Sequence, residues 1–147
     1  MRRRQTAPKQ WLIIRCAADR EGLAAARRLP TGSGVLLLAS LPSTEMRRLR
    51  SRRLIIVQEQ RRTATRVHDL RELRRALLDG TPLIFLSPFY STATHPGWKP
   101  IPRMRAAALA RLSKRKLFAL GGMDVRKFAR IRPLGFQGWA GISAFRT

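Results

Sequence analysis

The chain has 147 residues, 44% of them apolar, and 31 Lys and Arg against 8 Asp and Glu, for a net charge of +23. Such a chain can bury a sizeable core, and its composition excludes a chain disordered for lack of apolar residues. One cysteine excludes an intramolecular disulfide, and no apolar run approaches the ~20 residues needed to span a bilayer.

Met1–Gln10 reads as a basic flexible tail, followed by a single domain over residues 11–147. The only apolar run near the start, Trp11–Ile14, is too short for the core of a signal peptide, so the expected location is the cytoplasm. Trp11–Arg15 is a predicted strand. Asp19 is placed to cap a helix over Glu21–Leu29, stopped by Pro30 and Gly32. Gly34–Ala39 is a second strand, nearly all apolar, as a parallel strand covered on both faces should be. A basic helix runs from Ser43 to Arg53, and Leu54–Val57 is a third strand. A weak strand over Thr63–Val67 leads to Asp69 and Glu72, whose spacing is that of a capping box, and a helix to Asp79 with Gly80 beyond it. Leu83–Ser87 is a strand, Arg103–Lys114 a helix and Leu117–Leu120 a strand. Asp124 caps a helix over Val125–Arg132, ended by Pro133 and Gly135, and Gly138–Ala144 is the last strand. Strands alternating with helices predict an α/β fold with a parallel sheet. Eight βα units in this length would have about 18 residues each, against about 250 residues for a usual (β/α)₈ barrel, so a barrel of this size lacks units. The shortage falls between Ile56 and Val67.

The terminal β–Gly-Gly–α–β segment has the chemistry of an anion cradle. Gly121, Gly122, Gly141, Ile142 and Ser143 offer backbone N–H groups at strand ends, and Ser143 adds a hydroxyl. In (β/α)-barrels a phosphate site is commonly built from the last two βα loops. His68 follows a strand end, where barrels collect catalytic groups, and an imidazole is suited to general acid–base work. Cys16 reads as a packed residue near a strand end, and Trp11, Trp98 and Trp139 read as packing residues. The charge excess is mostly arginine, spread along every predicted helix, which reads as solvated faces with non-specific polyanion binding as a by-product.

Three ordered motifs resemble the thiamine phosphate synthase / TenI (thiazole tautomerase) family. Ala119-Leu120-Gly121-Gly122 with Trp139-Ala140-Gly141-Ile142-Ser143-Ala144 is similar to its C-terminal "ALGG" and "G-hydrophobic-A-hydrophobic-I-S-A" pattern. Leu86–Gly97 resembles its "GPVFPTxTKPG" loop, and Val67-His68-Asp69-Leu70-Arg71-Glu72 its "SVHSLEE" segment. The resemblance implies a reduced or incomplete (β/α)₈ TIM-type barrel with parallel strands and one or more βα units missing. It implies a thiazole phosphate ligand, with phosphate on Gly121, Gly122, Gly141, Ile142, Ser143 and Thr92, and His68, Thr94 and His95 as catalytic candidates.

The same comparison shows losses. The family's "QLREK" pyrimidine motif falls on Leu36–Ser40, with no Gln, Arg or Lys. His95 stands where the synthase has a phosphate-contacting lysine, and Arg66 where it has a pyrophosphate-contacting serine. Of the metal ligands, Glu59 alone has a counterpart, so no metal site is assigned and Mg²⁺ is implied only if synthase activity is kept. The expected activity is therefore either coupling a thiazole phosphate to a pyrimidine pyrophosphate or tautomerising it. A non-catalytic descendant that binds a phosphate ligand or a partner is the alternative, and a basic nucleic-acid-binding protein a further one. A homodimer covering the gap is the expected repair for an open sheet edge.

Overall fold

The computed structural model describes residues 7–91, 97–114 and 116–146. Among the described residues seven strands, β1 (Gln10–Ile14), β2 (Gly34–Leu37), β3 (Ile55–Gln58), β4 (Ala64–Val67), β5 (Leu83–Leu86), β6 (Leu117–Leu120) and β7 (Gly138–Gly141), alternate with five helices. The helices are α1 (Arg20–Ala26), α2 (Ser43–Ser51), α3 (Leu70–Leu78), α4 (Arg103–Leu112) and α5 (Val125–Ile131). The alternation breaks once: β3 runs into β4 with no helix between them.

The strands pair in the order β3-β2-β1-β7-β6-β5-β4, every pair parallel. First and last strands are therefore neighbours, as in a TIM-type barrel, and the sheet is an incomplete (β/α)₈ barrel open between β3 and β4. The missing βα unit is the one that would separate those two strands. The doubtful Thr63–Val67 strand is real, and it is one of the two edges.

The opening is clasped rather than left bare. Gln60 and Ala64 exchange both backbone hydrogen bonds, at 3.0 and 3.1 Å, so a tight hairpin spans the gap. The Arg66 guanidinium then donates to both oxygens of Glu59, at 2.6 and 3.1 Å. These contacts partly blunt an edge that would otherwise invite pairing with another chain.

Three apolar layers hold the sheet. Inside the barrel, Trp11 meets Phe85 and Phe118 edge-on, with centroids 5.8 and 6.1 Å away, and the two phenylalanines stack at 5.2 Å. A Cβ on Gly34 would lie 2.3 Å from the Trp11 ring, so this glycine makes room for the largest interior side chain. Outside, Leu23, Leu29 and Leu49 pack α1 and α2 on β1 and β2. Leu73, Leu109, Ile131 and Trp139 form a second outer layer under α3, α4 and α5.

Several element ends differ from expectation. Gln10, read as tail, opens β1, and the Lys9 carbonyl already accepts from Trp139 N–H. Residues 1–6 lie outside the described residues. α1 ends at Ala26 rather than Leu29. Pro133 does not end its helix sharply; Arg132–Leu134 continues as a 3₁₀ turn closed by Gly135 at φ +104°. The last strand stops at Gly141, and Ser143–Phe145 is another 3₁₀ turn because Ile142 turns out of extended geometry (φ −101°, ψ −62°). Cys16 is exposed, not packed, since it follows β1 in the turn toward α1.

Candidate functional site

A cavity of about 70 Å³ opens at the C-terminal ends of the strands, lined by His68 after β4, Gly121 and Gly122 after β6, and Gly141 at the end of β7 with Ile142 and Ser143 beyond it. The sheet thus brings together six of the residues singled out from sequence. Thr92, Thr94 and His95 lie outside the described residues.

The Gly-Gly turn is shaped by its neighbours. Gly121 and Gly122 have φ of +104° and +58°, and a Cβ on them would come within 2.8 Å of Pro88 Cα and 2.9 Å of the Ser91 carbonyl. Lacking side chains, they let the loop after β5 lie directly on the turn. Phe89 and Tyr90 N–H donate there to the Leu120 and Gly121 carbonyls. Asp124 caps α5 by accepting from Lys127 N–H at 2.8 Å. The Lys127 ammonium reaches back to the Gly122 carbonyl at 2.9 Å and sits 4.9 Å from the Tyr90 ring centre. It places a cation beside the turn, and the sequence reading missed it. The available signal was its position three residues after the cap, where a side chain can reach back past the helix start.

The turn bearing Ser143 is tied down from below. Arg146 donates through Nε to the Ile142 carbonyl at 3.1 Å, through Nη2 to both Asp19 oxygens at 2.7 and 2.9 Å, and through Nη1 to Glu21. Asp19 also accepts from Arg15 and Gly22 N–H, the latter as the cap of α1. Burial pushes the Asp19 carboxyl up, but those backbone donors and the Arg146 guanidinium outweigh it and hold it below the usual carboxylate range.

His68 is held by its own helix. One oxygen of Glu72 lies 3.1 Å from both the backbone N–H and the ring Nδ1 of His68. Asp69 caps α3 at Glu72 N–H as expected, but the return bond of the capping box goes one residue further back, to His68. A carboxylate at Nδ1 favours the proton on that nitrogen and leaves Nε2 as the basic one. Trp98 stands edge-on to the imidazole at 5.1 Å. It is 44% exposed and lines the cavity, so the packing role expected from sequence gives way to a place at the mouth.

The Mg²⁺ implied by the synthase branch does not fit these residues. Both oxygens of Glu59, its one carboxylate counterpart in sequence, are taken by Arg66. Among the described residues no three His, Cys, Asp or Glu side chains gather as a metal site requires.

Fold and site together define an incomplete TIM-type barrel whose candidate site occupies the C-terminal strand face, where barrels of this class carry theirs. The thiamine monophosphate synthase family model matches residues 40–145, and the chain belongs to that family. Among solved structures, it is similar to thiamine phosphate pyrophosphorylase from Bacteroides thetaiotaomicron. That match has a TM-score of 0.56 at 14% identity and covers 92% of this chain and 83% of the other, a likeness of fold. No curated protein matches the chain in sequence. Among the described residues no helix is long and apolar enough to cross a membrane.

Proposed function

We propose that the chain binds a thiazole phosphate of thiamine biosynthesis and isomerises it by proton transfer through His68. The observation that carries this reading is the shared cavity. His68, with Nδ1 engaged by Glu72, lines the same space as the Gly121-Gly122 turn and the Gly141–Ser143 end of β7. The phosphate would rest on N–H groups of those loops and the Ser143 hydroxyl, with Lys127 adding positive charge nearby. The ring would face His68 Nε2, which takes a proton from one ring position and returns it to another. This chemistry needs no metal, in keeping with a Glu59 already committed to Arg66.

The test is isomerisation of a thiazole carboxylate phosphate followed by ¹H NMR, with and without EDTA. A general acid–base group typically contributes about 10²–10⁴-fold, so His68→Asn should lower kcat by about that factor while phosphate binding persists. Turnover unaffected by this substitution would refute the assignment. Robust Mg²⁺-dependent coupling to a pyrimidine pyrophosphate would refute the metal-free reading.

A second reading, a non-catalytic ligand-binding descendant, is favoured by the absent βα unit and by the loss of the pyrimidine motif at Leu36–Ser40. Phosphate binding without turnover in the same assay selects it. The +23 charge supports diffuse polyanion binding rather than a nucleic-acid site, because exposed arginines line separate grooves, Arg111 and Arg132 in one and Arg61 and Arg74 in another.

A further inference from the structure

The absent βα unit leaves a second cavity, on the flank of the barrel. It lies along β4 and under α3, measures about 510 Å³, and is lined by Arg61, Arg62, Arg66 and Arg75 with the hydroxyls of Thr65 and Thr81. That volume falls within the range of small-molecule sites, unlike the mouth. Its charge is not internally balanced. The three carboxylates on its wall are each engaged: Glu59 by Arg66, Glu72 by His68 and Asp79 by Arg61. Among the described residues Arg62 and Arg75 have no carboxylate within 4.0 Å. Asp79 feels both as charges that help hold its carboxyl below the usual range, after the hydrogen bond from Arg61.

We propose that this lateral cavity is an anion-binding site, taking a phosphate or carboxylate group of a small organic ligand on Arg62 and Arg75. A guanidinium presents paired N–H donors that match two oxygens of either group. Thr65 and Thr81 line the same wall. Arg66 and His68 line both this cavity and the strand-end site, so the two share a wall. A ligand with an anionic group at each end would span the two, with its middle beside His68. This spanning clause rests on the function proposed above; the lateral anion site does not.

The experiment uses the full chain, ¹⁵N-labelled to report backbone amides and arginine Nε–H, at constant ionic strength in chloride. Inorganic phosphate and, in a separate arm, acetate are the probes. The proposal expects saturable shifts at Arg62, Arg75, Thr65 and Thr81. The double variant Arg62→Gln/Arg75→Gln should weaken that binding at least tenfold. Both residues are exposed, so the fold should survive, and an unchanged amide spectrum elsewhere checks this. The control Arg111→Gln/Arg132→Gln, in a cationic groove between α4 and the turn after α5, should leave it unchanged.

Response to phosphate alone assigns the site to phosphate esters, and response to both probes to oxyanions generally; either outcome upholds it. Linear, non-saturating shifts over all arginines, or equal weakening by the control pair, would overturn it as a diffuse ion atmosphere. If phosphate saturates the lateral set but leaves Gly122 and Ser143 amides unmoved, the strand-end reading falls and the lateral site stands. If only Gly122 and Ser143 respond, the lateral site is refuted.

Discussion

Replacing Asp19 tests whether the Ser143 turn is held in place by a buried ion pair. Asp19 accepts from Arg15 and Gly22 N–H and grips Arg146 with both oxygens, and its side chain is only 3% exposed. Asp19→Asn keeps a capping oxygen but removes the charge facing Arg146. A hydrogen bond to a charged group contributes about 1.5–3 kcal/mol, so a loss of about 2 kcal/mol is expected. Asp19→Ala also removes the cap, worth about 1 kcal/mol, which brings the loss to about 3–4 kcal/mol. That agrees with the ~3–5 kcal/mol typical when one member of a buried pair is deleted. At about 2–4 °C per kcal/mol for a chain of this size, Asp19→Ala should melt about 6–16 °C lower by circular dichroism at pH 7. The double variant with Arg146→Ala should fall well short of the sum of the singles. Additivity within about 0.5 kcal/mol, or an unchanged melt for Asp19→Asn, would show that the pair does not hold the turn.

The pH dependence of the same group follows from its direction. Its folded carboxyl lies below the usual value, so its contribution is complete above about pH 4 and is lost as pH falls through the folded value. Asp19→Asn should therefore flatten the acid limb of the stability curve; an identical limb counts against it. Glu72→Gln should move the neutral His68 ring toward its Nε2–H tautomer, read from ¹⁵N shifts above pH 8, and lower turnover; an unmoved tautomer would remove Glu72 as the positioning residue. Gly34→Ala forces a Cβ to 2.3 Å from the Trp11 ring and should cost about 3 kcal/mol in urea unfolding; a change under about 1 kcal/mol would mean that the interior layer yields freely. Glu59→Gln, at a half-exposed clasp, should cost only about 1 kcal/mol, measured the same way.

The parts legible in the sequence were those fixed by local chemistry. Asp19, Asp69 and Asp124 all cap the helices assigned to them, because a carboxylate before an apolar-periodic run has few better uses. The Gly-Gly turn and the parallel strands were equally readable, and the interval of only about ten residues between Ile56 and Val67, too short for a βα unit, located the open edge. What escaped were contacts set by tertiary geometry. Nothing local says that Arg66 will grip Glu59, because the two meet only once a hairpin replaces a whole βα unit. Arg146 meets Asp19 only when the ends of the chain close on one another. Ile142–Ala144 read as strand because its apolar pattern fits one, yet the backbone turns at Ile142 and presents Ser143 on a 3₁₀ turn instead.

The pairing of β1 with β7 has a consequence for the order in which the molecule can form. The segment β1–β3, with α1 and α2, owns one outer layer, and β4–β7 owns most of the other, so each half can begin to collapse on local contacts. The interior layer cannot: Trp11 meets Phe85 and Phe118 only when Gln10–Leu12 has found Trp139–Gly141 at the far end of the chain. That contact bears the largest loop-closure cost in the fold, and costs of this kind slow folding. During synthesis the segment β1–β3 therefore waits with one side of β1 unpaired until β7 has been made.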